Sequence, residues 1–142
     1  MSTREQIIEV CNRLFVYTDY REWEKLKAEV FAGQVLFDMS SMGAGAPATM
    51  TADAICQAWE EGFKGLDAVH HLAGNYLVTV REHDADVFCY ANASHYKKDA
   101  QQGHTRGFVG SYRLHLSKGG DGWRIDRFKY ELKYAEGNLE LK

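Results

Sequence analysis

Residues 69–81 read VHHLAGNYLVTVR and open a series of strand-like runs that fills the second half of the chain. Three more runs follow, at residues 85–96, 107–116 and 123–132, with turns at 83–84, 100–103 and 119–122 between them. Each run has strand length and alternates side chains of different character, as extended chains do. The four runs therefore predict an antiparallel meander.

The first half of the chain shows helical periodicity instead. Apolar residues from Ile7 to Thr18 follow helical spacing, and Ser2 or Thr3 can cap the helix that they predict. Further helices are predicted over residues 23–30 and 53–63, the latter capped by Thr51 or Asp53; a short strand is predicted over 34–39 and a loop over 40–51. Helices gathered ahead of a meander predict an α+β fold, with helices covering one face of the sheet.

Length, composition and charge bound the class of protein. With 142 residues, 45% of them hydrophobic, the chain is expected to form a single domain over residues 1–142 with its own core. The net charge of -3 argues against nucleic acid and anionic membranes as partners. The three cysteines are far apart and are typical of reduced thiols in a cytoplasmic protein. The sequence shows neither an apolar signal stretch nor a run of transmembrane length.

Two histidines and an aspartate are the candidates for chemistry. His71 and His95 lie 24 residues apart, each within a strand-like run, and Asp19 lies in the joint between the first two helices. Histidine ordinarily titrates near neutral pH, so two imidazoles and a carboxylate suit proton transfer. If the fold brings the three together, the chain is an acid–base enzyme. If Asp19 instead caps the second helix, a binding domain is the simpler interpretation.

Alternation along the strands predicts which residues share a face. His71 and Asn75 point the same way on the first run, and His95 shares its face with two alanines on the second. We expect Ser111 and Arg113, on the third run, to join this face. A face of small residues with a few polar side chains suits a cavity for a small molecule, because small residues leave volume that larger ones would fill.

The opposite face of the third run is predicted to be an apolar outer surface formed by Phe108, Tyr112, Leu114 and Leu116. Such a surface is too apolar for solvent, so it should be covered by another subunit. We therefore expect a homo-oligomer, either a dimer or a trimer.

Two assignments stay open on the sequence. A register slip of one residue would bring His70 rather than His71 to the cavity, because neighbouring strand residues point to opposite faces. Arg113 could pair with a carboxylate such as Glu131 instead of lining the cavity.

The order and spacing of these residues resemble the SnoaL-like group of the nuclear transport factor 2-like superfamily, and within it scytalone dehydratase. Residues 18–26, with Asp19 four positions before Trp23, resemble that enzyme's helix joint, and residues 123–136 resemble its last strand and tail. The resemblance covers nearly the whole chain. It implies a cystatin-like cone, in which N-terminal helices pack on the concave face of a curved antiparallel sheet.

The resemblance also implies a reaction: loss of water from a small cyclic hydroxy ketone, or a related polyketide- or steroid-like compound, without metal or organic cofactor. Asp19 would orient His71 or His95, and the histidines would move the proton. The substrate-binding positions predicted with them are Ser111, Arg113, Asn75, Met39 and Trp23.

The chain departs from the family at three positions. Thr18 and Met39 stand where the family has two tyrosines that polarise the ketone, and Arg113 stands where it has an asparagine. Scytalone is therefore not the expected substrate, and another cyclic ketone or an acidic compound is. A ketosteroid-isomerase-like or cyclase activity, non-enzymatic binding of a small molecule, and an association module whose pocket is incidental are the alternatives.

Overall fold

The computed structural model describes residues 1–142 as three helices and a six-stranded sheet. The helices are α1 (Thr3–Asp19), α2 (Trp23–Lys25), which continues as a π-helix over Leu26–Val30, and α3 (Ala52–Gly62). The strands are β1 (Phe31–Asp38), β2 (Ala48–Thr51), β3 (Ala68–Val80), β4 (Asp84–Tyr96), β5 (Thr105–Gly119) and β6 (Gly122–Gly137). The predicted α+β class is confirmed, and no helix is long and apolar enough to cross a membrane.

The sheet has the strand order β2-β1-β6-β5-β4-β3. Strands β3 to β6 form the predicted antiparallel meander, each paired with the next along the chain. Strand β1 adds in parallel to β6, with Leu36 opposite Arg127, so the sheet is mixed rather than wholly antiparallel. Strand β2, predicted as loop, pairs with β1 over only four residues, which is too short for alternation to reveal it.

The helices pack on the concave face of the sheet, called the inner face below. The Ser2 hydroxyl caps α1 by accepting a hydrogen bond from the Glu5 amide, and Thr51 caps α3 in the same way. Helix α1 then buries one apolar stripe, which includes Ile7 and Leu14, against the strands. The predicted cone, with helices inside a curved sheet, is confirmed.

A β-bulge in β3 exchanges the two faces of that strand. The pairing register with β4 shifts between Gly74 and Leu77, and Asn75 between them has a left-handed φ of 58°. Beyond the bulge Tyr76 packs against the core, while Leu77 is 67% exposed. The simple alternation predicted for this strand is therefore wrong after Gly74, because the extra residue reverses it.

The third run of the meander also presents the opposite face from the one predicted. Tyr112 pairs with Cys89 on the inner face, Leu114 is 2% exposed and Leu116 is fully buried. The predicted subunit contact through Phe108, Tyr112, Leu114 and Leu116 is wrong, because these residues lie inside the protomer's own core or cavity wall. Alternation shows which residues of a strand share a face, but it does not show which face is buried.

Candidate active site

A cavity of about 420 Å³ lies between α1, α3 and the inner face of the sheet. This volume is in the range of small-molecule sites, roughly 300–1,000 Å³. Twelve of its 16 lining residues are hydrophobic. The remaining four are Thr18, His71, His95 and Arg106. An apolar wall with a few convergent polar groups is the usual form of a ligand site.

Asp19, at the end of α1, holds His71 with both carboxylate oxygens. Its Oδ2 accepts a hydrogen bond from the His71 backbone N–H at 2.8 Å, and its Oδ1 lies 2.6 Å from the ring Nδ1. The two side chains are only 9% and 10% exposed. A carboxylate can only accept, so Nδ1 carries the ring proton and the lone pair of Nε2 is left for the cavity. Asp19 therefore orients the His71 ring and does not cap the second helix.

The neighbouring histidine of the same strand lies on the opposite face. His70 is exposed on the outer face, where it pairs with Ser94 of β4. The alternation of β3 is regular here, since the bulge begins three residues further on. His71 is thus the cavity residue of the two, and the register left open on the sequence is fixed by the docking of α1 onto β3.

His95 is held in the cavity wall by a cation rather than by a carboxylate. Its Nδ1 accepts a hydrogen bond from the Nε–H of Arg106 at 3.0 Å. Burial lowers the pKa of His95 from 6.5 to about 4, and the charge of Arg106 adds to this effect. The ring is therefore neutral at neutral pH, with its proton on Nε2. His95 is a hydrogen-bond donor to the cavity and not a second base.

The strand register brings the two imidazoles to the same part of the cavity. His71 is opposite Ala93 and His95 is opposite Val69, so the histidines are diagonal neighbours across β3 and β4. Backbone positions in this relation are about 7–8 Å apart, within reach of long side chains. A single small ring in the cavity can therefore contact a base on one side and a donor on the other.

Two of the five predicted substrate-binding residues lie near this centre. Met39 lines the cavity directly. Trp23 does not, because its ring lies behind the wall, 6.2 Å between centroids from Phe63, which is a lining residue. Thr18 also lines the cavity, but its hydroxyl donates to the Leu14 carbonyl oxygen at 2.6 Å.

The other three predicted residues face away from the cavity. Asn75 is exposed at the bulge, and Ser111 lies on the outer face beside Tyr90. Arg113, 62% exposed in its side chain, donates its Nε–H to Glu131 at 2.7 Å. Placing Ser111, Arg113 and Asn75 in the cavity was wrong, for the reasons of register and bulge given above.

The sequence patterns did not place Arg106 and Tyr130 in the cavity, although both line it. Arg106 lies one residue before the predicted start of β5, and continuing the alternation back from Phe108 would have found it. Tyr130 lies on β6, its side chain is 4% exposed, and its hydroxyl has no hydrogen-bond partner. A Cβ at Gly110 would lie 2.6 Å from that hydroxyl, so the missing side chain makes room for the phenol. No sequence pattern indicated this fit.

The cysteines add no chemistry to the site. Cys11, Cys56 and Cys89 are all free and buried. Burial raises the pKa of Cys56 to about 11 and that of Cys89 to about 12, so both are protonated thiols at neutral pH. No group of three or more histidine, cysteine and carboxylate side chains lies close enough together to hold a metal ion.

A second histidine cluster lies on the outer face, away from the cavity. Nδ1 of His115 lies 2.5 Å from Asp126, and Nε2 lies 2.8 Å from Asp84. Partial burial lowers the pKa of His115, but the hydrogen bonds to Asp126 and Asp84 outweigh it and raise the pKa overall. Both ring nitrogens are occupied, so this imidazole forms a structural ion pair and has no free nitrogen for catalysis.

Comparisons with known proteins agree with this architecture. A family model described as the SnoaL-like domain matches residues 1–129. The Kfla4162 protein from Kribbella flavida is 25% identical with a TM-score of 0.89, over 97% of this chain and 95% of that chain. A provisionally named scytalone dehydratase from Novosphingobium aromaticivorans is 18% identical with a TM-score of 0.80, over 94% and 85%.

A hexachlorocyclohexane dehydrochlorinase, LinA-type3 from Novosphingobium barchaimii, is 11% identical with a TM-score of 0.78, over 94% of this chain and 88% of that chain. At identities this low, the likeness to the dehydrochlorinase and to the provisionally named dehydratase concerns the fold alone. No curated protein matches the chain.

Proposed function

The chain belongs to the SnoaL-like domain family, and from this premise we propose that it is an acid–base dehydratase that acts without a cofactor on a small cyclic hydroxy ketone. The proposal is carried by one observation, the buried pair of Asp19 and His71, in which the His71 ring lines an apolar cavity. A carboxylate that fixes the tautomer of an imidazole turns it into an oriented base. The family and the pair together favour proton abstraction over simple ligand binding.

The reaction assigned to this pair is a syn elimination. Nε2 of His71 takes a proton from the carbon beside the ketone, and the electron pair of that C–H bond forms the new double bond. The imidazolium is stabilised by the Asp19 carboxylate and then gives its proton to the departing hydroxyl. The C–O bond breaks, water leaves, and His71 returns to its neutral form without any oxidant or reductant.

His95 supplies the complementary electrophile. Its Nε2–H is available to the cavity because Arg106 occupies Nδ1. A neutral imidazole that donates to the ketone oxygen stabilises the enolate-like charge that develops as the proton leaves. Loss of one such donor typically lowers kcat by about 10²–10³-fold.

The names of two structural neighbours describe a dehydratase and a dehydrochlorinase, and they make elimination the reaction to test first. Isomerisation is the second candidate, since one specific observation favours it. With the pKa of His95 lowered to about 4, the cavity offers one base and no separate acid at neutral pH. The protonated base could then return its proton to another carbon, which would shift a double bond without releasing water.

The central test replaces His71 by Asn and, as a matched control, His70 by Asn. Both changes remove an imidazole from the same strand, but only His71 faces the cavity. Acid–base catalysis contributes about 10²–10⁴-fold, so His71→Asn should depress turnover by that order while His70→Asn retains it. Turnover is followed by enone absorbance on a panel of cyclic β-hydroxy ketones, and exchange of the α-proton with D₂O is followed by NMR.

Retention of both turnover and α-proton exchange in His71→Asn would contradict the proposal. Products with a shifted double bond and no loss of water would favour the isomerase. Circular dichroism of both variants checks that the fold is retained.

A further inference from the structure

Arg106 brings a positive charge into a cavity whose wall is mainly apolar. It is opposite His95 of β4 and Gly137 of β6 in the sheet register, two positions before Phe108 on the inner face. The side chain is partly buried, and burial lowers the pKa of its guanidinium. The group still remains charged at any pH of interest, because arginine does not lose its proton in proteins.

The protein satisfies only part of this guanidinium. Its Nε–H donates to Nδ1 of His95 at 3.0 Å, and its Nη1 donates to the carbonyl oxygen of Leu139 at 2.8 Å. Both acceptors are neutral. The remaining N–H groups of the five on Nε, Nη1 and Nη2 have no acceptor within the chain, and Arg106 forms no salt bridge.

Other arginines of the chain differ in this respect. Arg81 and Arg113 each contact a carboxylate although both are exposed to water, whereas Arg106 is partly buried. A charge removed from water is costly unless it is paired, and the partly buried guanidinium of Arg106 on the cavity wall has no carboxylate beside it. An anionic partner for Arg106 would therefore have to be a ligand bound in the cavity.

The carboxylate that holds His71 is already occupied. Both Asp19 oxygens are engaged by His71, through the backbone N–H and the ring. Asp19 therefore does not form an ion pair with Arg106. The free N–H groups of Nη1 and Nη2 lie in one plane, which matches the two oxygens of a carboxylate.

We propose that Arg106 binds a carboxylate of the substrate, so that the compound taken into the cavity is a cyclic acid. The inference rests on the proposed function and adds the charge class of its substrate. The carboxylate would lie beside His95 at one end of the cavity, and the apolar ring would extend from there towards His71. The N–H donors of Arg106 that have no acceptor in the protein then serve the ligand.

The test compares two probes of nearly equal shape, benzoate and benzamide, by isothermal titration calorimetry. Hydrogen bonds to a charged group are worth more than neutral ones, so wild-type protein should bind benzoate about 10- to 100-fold more tightly than benzamide. Arg106→Gln should abolish this preference. Arg106→Lys keeps the charge but loses the planar fork, and it should retain part of it.

Two controls separate this inference from the proposed function. Arg113→Gln makes the same substitution on the outer face and should leave the preference unchanged. His71→Asn should keep the preference for benzoate while losing turnover. Turnover that survives in that variant alongside intact benzoate binding would count against the dehydratase mechanism alone.

The inference is overturned by equal binding of the two probes to wild-type protein, or by no binding of either at millimolar concentration. It is also overturned if Arg106→Gln, folded by circular dichroism, still prefers benzoate. If Arg106→Gln does not fold, Arg106→Lys decides: an unchanged affinity for benzamide with a reduced affinity for benzoate supports the carboxylate site, and equal changes in both contradict it.

Discussion

His71 and His95 line the same cavity, but the charged group beside each ring is different. The Asp19 carboxylate accepts a hydrogen bond from the Nδ1–H of His71, which leaves the lone pair of Nε2 free. A guanidinium donates to Nδ1 of His95 and leaves Nε2 as a donor. The same side chain thus offers a hydrogen-bond acceptor at one position and a donor at the other, and its neighbours Asp19 and Arg106 determine which one.

This difference predicts how His95 titrates. Its pKa in the folded protein is lowered to about 4 from 6.5, chiefly by burial and then by the Arg106 charge. Histidine-selective NMR against pH should find the His95 transition near 4, and Arg106→Gln should move it part of the way upwards. A wild-type transition near the ordinary value would contradict the neutral-donor role.

The lowered pKa of His95 also makes the free energy of unfolding depend on pH. Above the ordinary pKa of 6.5 both the folded and the unfolded forms carry a neutral His95, so the shift has no effect there. As the pH falls from about 6.5 to about 4, His95 becomes protonated in the unfolded chain but stays neutral in the folded protein. The contribution of His95 to the free energy of unfolding therefore decreases over this window.

At the scale of elements, periodicity predicted the helices and the meander because each is set by local spacing. The faces of the strands were harder. Asn75 adopts a left-handed φ of 58° that no local pattern announced, and it reverses the strand after it. Strand β5 turned its apolar side inward, because the helices cover that face.

The sequence likewise predicted some residues of the candidate site and misplaced or missed others. Asp19, His71 and His95 were found because their residue types and the resemblance both pointed to them, and their roles stay predictions. Arg113 was placed on the wrong face, and Arg106 was missed since it lay outside the predicted strand. Contacts across strands depend on register, which the sequence of one strand does not contain.

The close fit between β5 and β6 predicts the effect of a single added methyl group. In Gly110→Ala the new Cβ would collide with the Glu131 carbonyl oxygen and come within 2.6 Å of the Tyr130 hydroxyl. Overpacking of this kind costs about 1–3 kcal/mol, because the backbone carbonyl cannot move away. Urea unfolding should show a lower midpoint for this variant.

Gly107→Ala is the matched control on the same strand. There the nearest atom to a new Cβ, Glu136 Cγ, is at an ordinary 3.6 Å. The control should unfold at the wild-type midpoint or slightly above it. Equal losses in the two variants would show that the fit around Gly110 has no special importance.

At the scale of the whole molecule, the outer face of the sheet carries apolar side chains in water. Leu72 is 70% exposed, Leu77 67%, Tyr134 54% and Tyr90 43%. Exposed apolar residues that gather on one face are typical of an interface. The expected homo-oligomer therefore remains a proposal, with its contact moved from the inner residues of β5 to this outer face.

Light scattering at micromolar concentration checks that expectation, and it should give a multiple of the 16.1 kDa chain mass. Leu72→Glu, which places a charge on the outer face, should lower the mass towards that of one chain. His70→Asn, on the same strand and face, adds no charge and should leave the mass unchanged. A wild-type mass of 16.1 kDa would remove the proposal.

The parallel pairing of β1 with β6 brings the early part of the chain against its last strand, so the native topology depends on contacts between distant segments. Such contacts form slowly, because loop-closure entropy is lost before they stabilise anything. Asp19 and His71 are themselves 52 residues apart. A fragment that held only the meander would carry both imidazoles without the carboxylate, and the oriented base would exist only once the chain has closed upon itself.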